Sequence, residues 1–201
     1  SHLELLPFKC FSLQSLYVED NHSDYTSIDG ILYSKNQTDL LYYPSNHPNT
    51  HFTIPESVIC IARDAFINCI HLTSINIGAN LKEGLEYLSQ NCPNLESISL
   101  DPNNLNYTLV DGVLFTANQE TLIWYPKKHP NKHYSIPETV QTVNKFSFSN
   151  CINLESITIP KICNSLSAPI ISNCPKLSSI TIETQNFDQI CFFSELFFDC
   201  P

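Results

Sequence analysis

The sequence predicts a β-dominated repeat solenoid that forms a single domain over residues 1–201, and three observations lead to this prediction. Residues 25–56 return as residues 107–138 without a gap, and seventeen of the thirty-two positions are identical. A shorter unit, in which Cys-x-x-Leu precedes an alternating apolar stretch, recurs inside the longer one. The spacings of the shorter units run twice through 36, 23 and 23 residues, which together give the offset of 82. Self-similarity at a fixed period indicates stacked repeats.

The shorter unit predicts one β-strand in each coil. It appears as CIHLTSINI, CPNLESISL, CINLESITI and CPKLSSITI, and CFSLQSLYV at Cys10 belongs to the same series. Its 23-residue length and Leu-x-x-Ile-x-Ile spacing fall within the range of leucine-rich repeats, whose units bury an apolar face only by stacking. The predicted strand centres are Tyr17, Thr53, Asn76, Ser99, Ser135, Thr158 and Thr181.

Alternation along each strand predicts which side chains enter the core. Ile75 and Ile77 alternate with period two and are expected in the core together with Leu72, and Ser74 and Asn76 fall on the solvent face. At about 4.8 Å per strand, seven neighbouring strands would form one sheet roughly 30 Å wide.

Every third coil is longer and predicts an inserted β-meander, near residues 25–44 and again near 107–126. Asp29-Gly30 and Asp111-Gly112 are strong hairpin turns within these insertions. Each meander has to cover the core of its own coil, so most of its large aromatic residues should be buried. They are Tyr33, Tyr42, Tyr43, Phe115, Trp124 and Tyr125. Trp124 is also a candidate for a binding interface, where tryptophan is enriched.

The side of each coil opposite the strand is predicted to be a short helical turn or a short strand. Phe66 and Phe148 stand three residues before the repeat cysteine in two of these segments. The segments 81–92 and 165–174 lack that phenylalanine and are expected to be irregular or more helical.

The pairing of DGVLF…LIWYP…SIPETV with FSFSNCINLESITIP resembles the BspA-like (Treponema-type) leucine-rich repeat family. The resemblance covers nearly the whole chain. It implies a protein from the surface of a bacterium or a mucosal protozoan parasite, where members are implicated in adhesion and host contact.

The ends indicate a fragment of a longer array. The chain has no methionine, Ser1-His2 has the character of a cloning remnant, and FFDCP restarts the repeat at Cys200. We therefore expect an anchor or signal, if the protein has one, to lie outside these residues. A solenoid cut from its caps exposes apolar core, which predicts end-to-end association of copies.

The nine cysteines predict a buried ladder of thiols, in preference to a disulfide framework or a metal site. Cys10, Cys69, Cys92, Cys151 and Cys174 share one repeat position and Cys200 begins the next coil, and cysteine at such a position packs as a small hydrophobe. Cys60, Cys163 and Cys191 lie outside this register and are the better candidates for disulfides or reactivity.

Composition and motifs disfavour nucleic-acid binding, catalysis and a bound cofactor. The formal net charge is −10 with Arg63 as the single arginine, whereas nucleic-acid binding depends on clustered Lys and Arg. There is no Gly-x-Ser-x-Gly, phosphate-binding glycine-rich loop or His-Glu-x-x-His. His-Pro-Asn-x-His occurs twice, but its proline favours a turn over a helical metal site.

The solvent-facing side of the predicted sheet is the candidate binding site. Small hydroxyl and amide side chains make this face flat and rich in hydrogen-bonding groups, as in solenoids that bind proteins or glycans. The candidate residues are Ser15, Tyr17, Thr53, Asn76, Ser97, Ser99, Ser135, Thr158 and Thr181. The same small residues also suit a crowded sheet without any ligand.

We therefore interpret the chain as a non-enzymatic cell-surface or extracellular module for adhesion. Its expected partner is a protein or glycan of a host or neighbouring cell, bound through the sheet face. The alternative is an intracellular scaffold for protein–protein interaction, which the free-looking thiols favour.

Overall fold

The structure, a computed structural model that describes residues 10–183, 196–198 and 200, is a solenoid of short strands. This confirms the predicted fold class. A 3-10 turn at Leu85–Tyr87 is followed by the short helix α1 at Leu88–Asn91. Cys191 and Ser1-His2 lie outside the described residues. The strands are β1 (Tyr25–Ile28), β2 (Ile31–Ser34), β3 (Asp39–Tyr42), β4 (His51–Thr53), β5 (Cys60–Ile61), β6 (Ser74–Ile77), β7 (Ser97–Leu100), β8 (Tyr107–Val110), β9 (Val113–Thr116), β10 (Thr121–Trp124), β11 (His133–Ser135), β12 (Thr142–Val143), β13 (Phe148–Ser149), β14 (Ser156–Ile159), β15 (Ser165–Leu166), β16 (Ile171–Ser172), β17 (Ser179–Ile182) and β18 (Phe197–Phe198).

The second repeat forms coils with three sides, each built by a parallel sheet. The sheet of the first side is β11-β14-β17, in which Ser135, Thr158 and Thr181 stand in register. The second side is β10-β12-β15 and the third is β13-β16-β18. In the first repeat the first side is β4-β6-β7, and α1 lies in the segment that corresponds to the third side. We call β4-β6-β7 and β11-β14-β17 the front sheets.

Each repeat begins its second side with an antiparallel meander, β1-β2-β3 or β8-β9-β10. The turns are Asp29-Gly30 and Asp111-Gly112, whose residues all have positive φ. Asp and Gly are among the residues that adopt this conformation most readily, so the sequence fixes the hairpins locally. The last strand of each meander then pairs in parallel with the next coil, β3 with β5 and β10 with β12.

The prediction of one continuous front sheet of seven strands is wrong. The strands of this side form two three-stranded sheets, and β7 does not pair with β11. Between them the chain makes the second meander, which separates the two coils that would otherwise be neighbours. Tyr17 was expected at the centre of a first strand, but residues 13–19 belong to no strand. Instead the Leu16 N–H donates a hydrogen bond to Gly30 O.

The segments without the phenylalanine behave differently from each other. Residues 81–92 contain α1, as expected, but residues 165–174 form β15 and β16. The expectation of irregular or helical structure is therefore wrong for the second segment. Its neighbours β12 and β13 offer parallel backbone partners, and this pairing overrides the local sequence.

The core has two parts, and the second meander contributes to both. Leu114, Ile123 and Trp124 pack in the first part, whereas Val113 and Phe115 pack in the second. The predicted burial of the meander aromatics is confirmed, because all six are at most 4% exposed. Trp124 is 4% exposed and so is not a projecting interface residue.

The thiol ladder is confirmed in the interior of the solenoid, where Cys69, Cys92, Cys151 and Cys174 are buried, but Cys10 is exposed. None of the eight cysteines in the described residues forms a disulfide. Cys163 is fully buried, so it is a poor candidate for reactivity, and burial raises its pKa to about 11. Burial, followed by the nearby Glu83 carboxylate, raises the pKa of the Cys60 thiol to about 11.

A substitution at Gly84 tests whether neighbouring coils stack as closely as the structure shows. Its φ is +105°, and a Cβ there would collide with the backbone O of Ile61. We expect Gly84→Ala to lower the free energy of unfolding by about 1–3 kcal/mol, measured by urea denaturation. Gly78→Ala is the matched control, since its Cβ would meet the movable carboxylate of Glu56. Equal stability of the two variants would contradict this account of the stacking.

Candidate functional site

The first front sheet presents a short ladder of polar side chains, which we call the first patch: Thr53, Asn76 and Ser99. All three are exposed and stand in register on β4, β6 and β7. The Asn76 amide donates a hydrogen bond to Thr53 Oγ1 at 3.1 Å, and the Ser99 hydroxyl donates to Asn76 Oδ1. These bonds hold the side chains in a fixed order on a flat surface.

The second front sheet carries the counterpart of this ladder, the second patch: Ser135, Thr158 and Thr181. Ser135 and Thr181 are exposed and Thr158 is half-buried. Beside each patch a histidine contacts the serine of the next coil. His51 Nδ1 lies 2.7 Å from Ser74 Oγ, and His133 Nδ1 lies 2.8 Å from Ser156 Oγ. The repeat thus presents two similar polar surfaces.

The structure does not bring all predicted site residues onto one surface. Six of them form the two patches, and Ser97 lies on β7 beside the first patch and lines the groove described next. Ser15 and Tyr17 lie outside both front sheets, although Tyr17 is 80% exposed. Binding by any of these residues stays a prediction.

A groove of about 620 Å³ separates the two front sheets, at the point where sequence analysis predicted continuous pairing. We call it the inter-repeat groove. One wall includes Glu96, Ser97 and Ile98, and the other includes Asp111, Gly112 and residues 128–131. Sequence reasoning missed it because these residues come from coils that were expected to touch. Its volume lies in the range of ligand-binding pockets.

Two lysines cross from one wall of the inter-repeat groove to the other. Lys128 Nζ lies 2.7 Å from Glu96 Oε1, and Lys127 Nζ lies 3.5 Å from the same atom. The Lys127 ammonium also donates to the backbone O of Asn94 at 3.1 Å. Hydrogen bonding from Lys128 is the main reason that the pKa of the Glu96 carboxyl is lowered.

Buried histidines hold each hairpin turn against the rest of its coil. His47 Nε2 lies 3.1 Å from Asp29 O, and His129 Nε2 lies 3.0 Å from Asp111 O. Their Nδ1 atoms accept hydrogen bonds from the N–H groups of Asn49 and Asn131. The first histidine of each His-Pro-Asn-x-His motif therefore has a structural role in positioning the turn.

The described residues contain no group of three or more His, Cys, Asp or Glu side chains that could hold a metal ion. Within the same part of the chain, no helix has the length and apolar character needed to cross a membrane.

The chain belongs to the BspA type leucine rich repeat family. Six copies of the family's repeat match residues 39–110 and 125–200. Members of this family are repeat proteins without catalytic machinery of their own, which agrees with a fold made of stacked coils. A comparison with curated proteins finds no significant match.

The chain is similar to solved bacterial structures, and one of them shows the same fold. A leucine rich cell surface protein from Faecalibacterium prausnitzii has 23% identity and a TM-score of 0.51. The match covers 65% of this chain and 41% of that protein. A leucine-rich repeat protein from Eubacterium ventriosum has 21% identity and a TM-score of 0.47, and the match covers 72% of this chain and 58% of that protein. The pneumococcal vaccine antigen PcpA has 15% identity and a TM-score of 0.47, and the match covers 82% of this chain and 54% of that protein. The chain thus spans about half the length of these proteins.

The buried tyrosines predict loss of stability at alkaline pH. Burial raises the pKa of Tyr33 to about 12 and raises the pKa values of Tyr43 and Tyr125 as well. Above pH 10 these side chains ionise first in the unfolded chain, which therefore binds fewer protons than the folded one. We expect the free energy of unfolding to be constant below about pH 10 with respect to these groups. Between pH 10 and 12 it should fall by up to ~1.4 kcal/mol per pH unit for each tyrosine.

Urea denaturation between pH 8 and 11.5 measures this dependence. Tyr33→Phe should make the fall above pH 10 shallower without loss of folding, because Phe115 occupies the same position in the second repeat. A wild-type stability that does not change over this range would show that the tyrosine hydroxyls are not buried as described.

Proposed function

We propose that the chain is a non-enzymatic cell-surface binding module that recognises a protein or glycan of a host or neighbouring cell through its two patches. The observation that carries the proposal is the duplicated polar ladder on the front sheets. In the first patch the side chains are exposed and hydrogen-bonded to each other, and in the second patch Ser135 and Thr181 are exposed. Both patches lie on a β-sheet, so binding costs little conformational entropy. Membership of a family of repeat proteins and the fold shared with a cell surface protein support the proposal.

Duplication of the patch favours a ligand that is itself repetitive. Two similar sites on one rigid solenoid can engage two units of such a ligand, and the second contact then forms at a high effective concentration. A glycan chain or a repetitive surface protein fits this description. Tyr17, which is 80% exposed, is a further candidate contact because tyrosine is enriched at binding hot spots.

Patch variants test this proposal. We expect Asn76→Arg with Ser99→Arg in the first patch, or Thr158→Arg with Thr181→Arg in the second, to weaken binding of labelled protein to target cells at least tenfold. Combining all four should abolish binding. Bulky charged side chains block a flat surface, and flow cytometry over a concentration series measures the loss.

The matched control is Asn164→Arg with Ser165→Arg, which adds the same charge at exposed positions near β15, away from both patches. Wild-type binding by the control together with loss in the patch variants is the expected pattern. Full binding by the fourfold patch variant would overturn the role of the patches.

An intracellular scaffold is the second candidate, favoured by the absence of disulfides among the described cysteines. Antibody staining of intact and permeabilised source cells separates the two. We expect intact cells to be labelled. Labelling only after permeabilisation would reject the cell-surface proposal and favour the scaffold.

A further inference from the structure

We propose that the inter-repeat groove is a second binding site, which takes an extended polypeptide segment with a small residue between two apolar ones. The first repeat shows how such a segment sits on the corresponding wall. There the Leu16 N–H donates to Gly30 O at 2.8 Å, and the Asn46 N–H donates to Leu13 O at 2.9 Å. Gly30 is buried because Ser15 lies on it, so close that an added Cβ would be 2.6 Å from Ser15 Cβ.

The second repeat has the same wall without a segment on it. Asp111 and Gly112 have φ values of 50° and 81°, and Asp29 and Gly30 have 51° and 79°. Gly112 is nevertheless exposed, and the one contact its Cβ would find among the described residues is Pro126 Cγ at 3.7 Å. The counterparts of Ser15 and Leu16 are Ser97 and Ile98, which pair with β6 instead.

Two substitutions between the repeats explain why this wall is open. Ser45 and Asn46 of the first repeat correspond to Lys127 and Lys128 of the second. The short Ser45 hydroxyl donates to Cys10 O at 3.0 Å, so the two sides of the first repeat meet directly. In the second repeat the sides meet through the long lysine side chains, by way of Asn94 O and Glu96. The lysines therefore act as spacers that keep the walls apart.

The chemistry of the inter-repeat groove matches an extended peptide. Its hairpin wall offers Gly112 O as an acceptor and the Lys128 N–H as a donor, the counterparts of the two groups that hold residues 13–16 in the first repeat. Main-chain hydrogen bonds would provide affinity, and a small side chain facing Gly112 would provide selectivity. Half-buried Pro126 and the accessible edges of the buried Ile98 and Trp124 line the groove and supply apolar surface for the flanking residues of the peptide.

A synthetic peptide of residues 11–18, FSLQSLYV, is the probe. We expect it to bind the whole protein saturably in fluorescence anisotropy, and to shift the amide NMR signals of Gly112 and Lys128. Ser97→Trp, which fills the groove, and Lys127→Ser with Lys128→Asn, which restores the residues of the first repeat, should each weaken binding at least tenfold.

Each variant has a matched control outside the groove. Ser179→Trp places the same ring at the equivalent position of β17, and Lys132→Asn removes a lysine that pairs with Glu155 at 2.9 Å. Both controls should bind the peptide like wild type. Absence of saturable binding by wild type, or equal binding by the groove variants and their controls, would overturn the proposal. The result is independent of cell binding by the patches, so either proposal can fail without the other.

Discussion

The burial of β9 and β10 on both of their faces is the constraint on which the rest of the structure depends. Leu114, Ile123 and Trp124 pack into the core of the first repeat, and Val113, Phe115 and Leu122 pack into that of the second. A register shift in the pairing of β9 with β10 lets Ile123 and Trp124 share one core. Each large side chain of this kind contributes about 1.5–3 kcal/mol when buried. The meander is therefore the joint that makes two repeats into one solenoid.

The same meander interrupts the front sheet. A strand pairs with its neighbour only at about 4.8 Å, so a coil that carries the two extra strands β8 and β9 does not continue the ladder from β7 to β11. The meander thus connects the two cores on the second side, and β7 and β11 are left unpaired with each other on the first side. The result is two polar patches separated by the inter-repeat groove, and the candidate binding surfaces follow from how the coils are joined.

Two similar repeats reach different local structures through a few side chains. The hairpin turns and the histidines beneath them are the same in both, down to the contact between the imidazole Nε2 and the backbone O of the aspartate. The step from Ser45-Asn46 to Lys127-Lys128 lengthens the side chains that join the walls and adds two positive charges, which pair with Glu96. One wall is consequently covered by residues 13–16 and the other faces solvent, although the backbone of the two turns is alike.

The sequence by itself determined the features that repeat or that one stretch encodes. The period of 82, the alternation that buries Ile75 and Ile77, and the Asp-Gly turns depend on local sequence and on the stacking of similar coils. It also predicted the exposed positions of Asn76 and Ser99, since alternation determines the face. Only the tertiary structure decided the split of the front sheet, the strands at 165–174 and the position of Tyr17 outside any strand. The presence of the groove between Ser97 and Gly112 also depends on the tertiary structure. These features depend on the distance between coils, and β-pairing across that distance is a non-local interaction that no single coil encodes.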